Sequence, residues 1–182
     1  AKIDTKLELI NQFLEKADNI IIGGGMAFTF LKAKGKNIGG SLLDKSMINK
    51  ARDIMNNAMS KGTKIILPID AVCAKSPKDV SDKKTYPIDE IPPKMMGLDI
   101  GPNSVIRFNE ILGNSKTILW NGPMGVFESK AYEYGTREMA IHLVSCVASG
   151  AKVIVGGGDT AAALENFGLM KDMTHVSTGG GA

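Results

Sequence analysis

Apolar and polar positions along the chain change period several times. Leu7, Ile10, Leu14 and Ala17 recur at helical spacing, and Ile20-Ile21-Ile22 is a short β-branched run that stops at Gly23-Gly24-Gly25. A second helix is predicted from Met26 to about Gly35. Ser46 suits the N-cap of a helix carrying Ile48, Ala51, Met55 and Met59, with Gly62 just past its end. Lys64 to Pro68 reads as a buried strand. Residues 75–94 turn polar and hold Pro77, Pro87, Pro92 and Pro93, which predicts an irregular excursion inside one domain. Ser104 to Leu112 then reads as a helix closed by Gly113, and Thr117 to Trp120 as a strand broken by Asn121-Gly122-Pro123. A longer helix is predicted over Tyr134 to Ala148, a strand over Val153 to Val155, a helix over Thr160 to Phe167, and a last short strand over His175 to Ser177.

Strands alternate with helices, and the strands are continuous apolar runs. That combination predicts a parallel sheet with both faces covered by helices. The expected fold is therefore a single α/β, Rossmann-like three-layer domain over residues 1–182. Ile20-Ile21-Ile22-Gly-Gly-Gly also echoes Val153-Ile154-Val155-Gly-Gly-Gly, two runs that share one place in the fold.

Composition narrows the classes. The 43% hydrophobic and 23% charged content is that of a globular chain. Cys73 and Cys146 form no C-x-x-C pair and no cluster with His142 or His175, which argues against a zinc ribbon or disulfide scaffold and suits a reducing compartment. No apolar run is long enough to span a membrane, and Ala1-Lys2-Ile3-Asp4 has no signal-peptide pattern, so a cytoplasmic protein is expected. A net charge of +3 with interspersed signs, three arginines and 5% aromatics argues against nucleic-acid binding.

The placement of the 21 glycines carries more information. Clusters at Gly23–Gly25, Gly97/Gly101, Gly122/Gly125, Gly156–Gly158 and Gly179–Gly181 mostly follow predicted strands. In an open parallel sheet these positions line the crevice at the carboxyl ends of the strands, where ligands bind. Where a helix follows, its first N–H groups form an anion site. Tight turns alone account for one such cluster more easily than for several, and a phosphate-bearing ligand is expected. A Walker A loop is absent. Gly156-x-Gly158-x-x-Ala161 matches the loose dinucleotide fingerprint, but no acidic residue ends the strand at His175–Ser177. Asp159, inside that fingerprint, suits a magnesium-bound nucleotide better than a bare pyrophosphate.

Five segments then stand in a recognisable order: Ile22-Gly-Gly-Gly-Met-Ala-Phe-Thr-Phe30, Gly97-Leu-Asp-Ile-Gly-Pro102, Trp120-Asn-Gly-Pro-Met-Gly-Val-Phe-Glu128, Gly156-Gly-Gly-Asp-Thr160 and His175-Val-Ser-Thr-Gly-Gly-Gly-Ala182. The chain resembles the C-terminal, nucleotide-binding half of phosphoglycerate kinase, which transfers a phosphoryl group between 1,3-bisphosphoglycerate and ADP, giving 3-phosphoglycerate and MgATP. The resemblance implies ADP or ATP as substrate and Mg²⁺ as cofactor. Lys2 would meet the transferring phosphoryl group and Lys6 the α-phosphate. Read from sequence alone, both are equally exposed first-turn helix lysines. The resemblance further implies that Asp159 binds Mg²⁺ and that Gly157, Gly158 and Thr160 hold the α-phosphate, although Asp159 also reads as an N-cap. Glu128 would bond the ribose hydroxyls, with Asn121 and Pro123 beside the sugar and phosphates. Gly23, Gly24, Gly97 and Leu98 would wall the adenine slot, and Gly179, Gly180 and Gly181 would stabilise the transferred group through their amides.

Against the family pattern, Met95 stands where tryptophan is usual. The N-terminal lobe, with its 3-phosphoglycerate site and a transition-state arginine, and the C-terminal tail are both expected to be missing. The expectation is a monomer that binds nucleotide with little or no turnover. A non-catalytic nucleotide-binding module and a dinucleotide-dependent oxidoreductase domain are the competing readings. His142, His175, Cys73 and Cys146 are assigned no role.

Overall fold

The computed structural model describes residues 3–177. Its elements alternate as anticipated except for a run of four strands: α1 (Ile3–Phe13), β1 (Asn19–Ile21), α2 (Met26–Ala33), α3 (Ile48–Lys61), β2 (Lys64–Ile66), β3 (Asp70–Ala74), β4 (Lys84–Pro87), β5 (Met96–Ile100), α4 (Pro102–Gly113), β6 (Thr117–Asn121), α5 (Tyr134–Ala148), β7 (Lys152–Gly156), α6 (Gly158–Phe167) and β8 (His175–Val176), the run being β2 to β5. The parallel pairs are β1 with β2, β6 with β7 and β7 with β8.

Helices cover both faces of β1 and β2. Successive strand side chains point to opposite sides. Accordingly Ile20 and Ile22 join the core that holds Leu7, Leu14, Phe30, Ala51 and Ile54 of the first three helices. Ile21 and Ile66 join the core of Phe108, Leu143, Val153 and Leu164, built on α4, α5, α6 and β7. At β6 the second face is thinner: Ile118 and Trp120 are buried, while Leu119 is exposed.

Two parts of the sequence reading need correction. The polar excursion is not irregular throughout. Thr85 and Tyr86 within it pair antiparallel with Val72 and Ala71, and β5 pairs on the other side of β3, so β4-β3-β5 form a three-stranded antiparallel sheet. Strand β5 carries a weak sequence signal because the buried Asp99 breaks its apolar run, and β3 because it opens on the buried Asp70 and is short, Ala71-Val72-Cys73-Ala74. Ser46 is not the N-cap of α3. It sits in a 3-10 turn (Lys45–Met47) whose cap is Asp44, with the Ser46 N–H donating to Asp44 Oδ1 at 3.1 Å, and Met47 occupies the α3 cap position. The predicted Gly62 terminus stands, left-handed at φ 76°.

Strands β3 and β5 each send a buried aspartate to a following helix. Asp70 Oδ2 accepts from the Asn103 N–H at 2.9 Å and Oδ1 from the Ser104 N–H at 2.8 Å, capping α4 across 33 residues of chain. Asp99 Oδ2 accepts from the Gly135 N–H at 2.9 Å, in the first turn of α5. Each carboxylate takes up orphan amides of a helix N-terminus and complements its dipole.

Candidate functional site

A cavity of about 1800 Å³ runs along β1 and β6, and the loops following β1, β6 and β7, with β5 beside them, line its end at the carboxyl termini of the parallel strands. That end occupies the place of the carboxyl-end crevice of an open α/β sheet. Gly23 and Gly24 from the first loop back onto Met124 and Pro123 from the third: a Cβ at Gly23 would overlap the Met124 side chain, and one at Gly24 would lie 2.9 Å from the Pro123 carbonyl. Gly97 leaves room for the Phe28 ring, and its N–H donates to Ser41 Oγ at 2.9 Å.

The side of the groove opposite Gly97 is built by β6, β7, α1 and the start of α6. Gly157 takes φ 94° at the N-cap of α6, a conformation that favours glycine, and turns the chain so that the Gly158–Thr160 amides open the helix toward the groove. Thr160 is fully buried and accepts from the Gly122 N–H at 2.6 Å, tying the loop after β6 to α6. Gly122 has φ 107°, and its carbonyl accepts from Trp120 Nε1 at 2.7 Å. Asn121 is thereby aimed at α1, where Lys6 Nζ donates to Asn121 Oδ1. Lys6 is half-buried, and that burial lowers its ammonium below the usual lysine range, while the Asp159 carboxylate opposes the shift.

Among the anticipated site residues, Lys6, Gly23, Gly24, Gly97, Leu98, Asn121, Pro123, Gly157, Gly158, Asp159 and Thr160 all line the groove. Leu98 does so from a small core cluster with Ala74 and Tyr132. Glu128 does not join them; the lining on its loop stops at Val126, and Glu128 is exposed beyond it. Asp159 is no N-cap, since Gly157 holds that position and no side chain caps the helix; Asp159 stands exposed in the first turn. Lys2, Gly179, Gly180 and Gly181 lie outside the described residues. Leu42 was missed. It is 70% exposed yet lines the groove, fixed beside Gly97 through its neighbour Ser41. An exposed leucine in a loop carries no sequence signal until that contact is seen.

The donor set fits a magnesium ion carried in by a phosphate ligand. Among the described residues no three His, Cys, Asp or Glu side chains gather into a metal cage. Asp159 is an exposed carboxylate at the N-terminus of α6, and Mg²⁺ is typically held by one or two carboxylates together with substrate phosphates and water.

Fold and site together define an α/β domain with a glycine-lined groove and an open helix N-terminus at the carboxyl ends of its parallel strands. The family model described as phosphoglycerate kinase matches residues 1–182, and the chain belongs to that family. It is 48% identical to the phosphoglycerate kinase of Thermosipho africanus and 45% identical to that of Synechococcus elongatus, in each case over all of this chain. It spans 46% and 45% of the lengths of those relatives. The solved phosphoglycerate kinase of Coxiella burnetii matches with a TM-score of 0.93 at 39% identity, covering 99% of this chain and 46% of that one. The enzyme from Pyrococcus horikoshii matches at 27% identity with a TM-score of 0.81, covering 100% of this chain and 45% of that one.

Proposed function

We propose that the groove binds an adenine nucleotide as its magnesium complex, and that this chain is the nucleotide-binding half of an enzyme exchanging a phosphoryl group between 1,3-bisphosphoglycerate and ADP. The observation that carries this reading is the convergence of Lys6, Asn121 and Asp159 on the open N-terminus of α6. A cation, an amide, a carboxylate and free helix N–H groups are what a metal-bound polyphosphate needs.

In this reading the Gly23–Gly24 loop, Gly97, Leu98 and Leu42 enclose the base. Asn121 and Pro123 lie beside the sugar and phosphates, with Glu128 reaching the ribose from outside the groove. The amides of Gly157, Gly158 and Thr160 take the α-phosphate, and the Lys6 ammonium neutralises it once it releases Asn121. When bound, magnesium would sit on Asp159 and offset charge on the phosphates. Lys2 and the amides of Gly180 and Gly181 would meet the transferring group. Phosphoryl transfer needs little covalent chemistry from the protein, so positioning and charge neutralisation suffice. The 3-phosphoglycerate site and the transition-state arginine belong to the half of the family's length that this chain does not span. The isolated chain is accordingly a nucleotide binder with little or no turnover, monomeric and cytoplasmic. Its two free, buried cysteines accord with a reducing compartment.

Calorimetric titration of the purified chain with MgADP and MgATP, with NADH as control, tests the proposal. Saturable binding of both adenine nucleotides, weakened about tenfold or more by Asp159→Ala, is expected. Binding of NADH in place of ADP, or no binding of either adenine nucleotide, would overturn it.

A further inference from the structure

Asp99 is 5% exposed and lines the groove from β5, one residue beyond Leu98, yet it takes no part in the nucleotide contacts above. Its two oxygens are fully committed. Oδ1 accepts from the Ile100 N–H at 2.9 Å, and Oδ2 accepts from the Gly135 N–H at 2.9 Å. Two glycines are packed against it: a Cβ at Gly125 or at Gly135 would lie 2.5 Å from Asp99 Oδ1. Gly125 belongs to the loop that presents Asn121 and Pro123. The same loop is fastened to β5 by the Val126 N–H donating to the Leu98 carbonyl at 2.9 Å, and to α5 by the Met124 N–H donating to Thr136 Oγ1 at 3.0 Å. The buried carboxylate thus ties β5 to the start of α5, and the Asn121–Val126 loop is fastened to the residues beside that tie, Leu98 and Thr136, with Gly125 packed against the carboxylate.

We infer that the Asp99 carboxylate is a positioning group for the nucleotide loop, and that nucleotide binding is coupled to its ionisation. The inference rests on the nucleotide reading above. With both oxygens unprotonated, the carboxylate accepts the Ile100 and Gly135 amides and fixes α5 against β5, forming the surface on which Gly125 packs. Adding a proton removes the charge and makes one of those oxygens a hydroxyl, a much weaker acceptor, which weakens one of the two amide bonds and loosens the tie between β5 and α5. Lys83 is the charged side chain that bears on Asp99; the residue opposite on β3 is Val72, and Gly135 of α5 and Gly125 of the loop pack against the carboxylate. Nearby Tyr132 directs its hydroxyl to the Asp79 carbonyl instead. Burial pushes the Asp99 carboxyl up to about 7, against the pull of the Gly135 and Ile100 amides, so the two forms exchange near neutral pH.

Two measurements on the chain test this with MgADP as probe. Wild-type affinity is expected to fall about fivefold from pH 8 to pH 6, one hydrogen bond of ordinary net strength. Asp99→Asn, which accepts one amide and opposes the other with an NH₂, binds at pH 8 as weakly as wild type does at pH 6, without that pH dependence. The second measurement needs no variant. The ¹³C resonance of the Asp99 carboxyl, titrated with and without saturating MgADP, is expected to move its midpoint to lower pH by the same fivefold factor, because the coupling is reciprocal. Nearby phosphate charge alone would move it upward. A midpoint that stays or rises while MgADP binds overturns the inference and leaves the nucleotide reading standing. Failure of wild type to bind MgADP at any pH removes that reading, and this inference with it.

Discussion

Gly101 stands directly against the carboxylate of Asp70: a methyl group added there would overlap the carboxyl carbon and lie 2.6 Å from Oδ1. The contact exists because Asp70 must reach past the N-cap of α4 to its second and third residues. Gly101→Ala is expected to cost roughly 1–3 kcal/mol, as overpacking of a tight site does. Asp70→Ala is expected to cost at least ~1 kcal/mol, the usual worth of a lost cap. Because both act on one contact, the double variant in urea denaturation should lose less than the sum of the two.

Thr160→Val keeps the shape of a fully buried side chain but leaves the Gly122 N–H without an acceptor. A loss of about 1–3 kcal/mol is expected from that orphaned donor. Thr160→Ser should recover most of it. Denaturant midpoints for the three proteins decide the matter.

Lys6 is partly desolvated beside Asn121 and Asp159. Lys6→Gln is expected to weaken MgADP binding by about tenfold, the scale of one charge-assisted hydrogen bond. Its effect on unliganded stability should stay within about 0.5 kcal/mol. Calorimetry and thermal unfolding on one preparation separate the two.

The pH dependence of stability should carry the sign of Asp99. Its folded value of about 7 lies above the ordinary carboxylate value of ~3.9, so the folded chain keeps a proton that the unfolded chain gives up. That contribution is full below about pH 4 and is lost as pH rises to about 7. Asp99→Asn removes it. The stability of Asp99→Asn relative to wild type is therefore expected to improve by up to a few kcal/mol between pH 4 and pH 7, and to level off above. The wild-type carboxylate weakens the fold at the pH where it best holds the loop.

Cys73 is fully buried, and burial pushes its thiol up to about 12. Cys146 is buried and shifted the same way. Neither should react with an aromatic disulfide reagent at pH 8 in the native chain. Both should react at once in denaturant, as absorbance at the thiolate product will show.

The alternation of apolar runs with helical periods was enough to determine the α/β class, the parallel strands β1, β2, β6 and β7, and the glycine-lined end of the groove. These features depend on spacing of two or 3.6 residues and on glycine beside a strand, which are local properties of the chain. Family motifs placed Lys6, Asn121 and Asp159 on the list of candidates, but only the fold brought residues 6, 121 and 159 to one helix N-terminus. The antiparallel sheet was hidden because Asp70 opens β3 and Asp99 interrupts β5, and an aspartate beside or within a short apolar run reads as a break. Their partners, Ser104 and Gly135, lie 34 and 36 residues away. A buried carboxylate is tolerable only where distant amides meet it, so its strand, its helix and its pKa were all decided by tertiary structure. Leu42 followed the same rule, an ordinary exposed leucine until Ser41 fixed it beside Gly97.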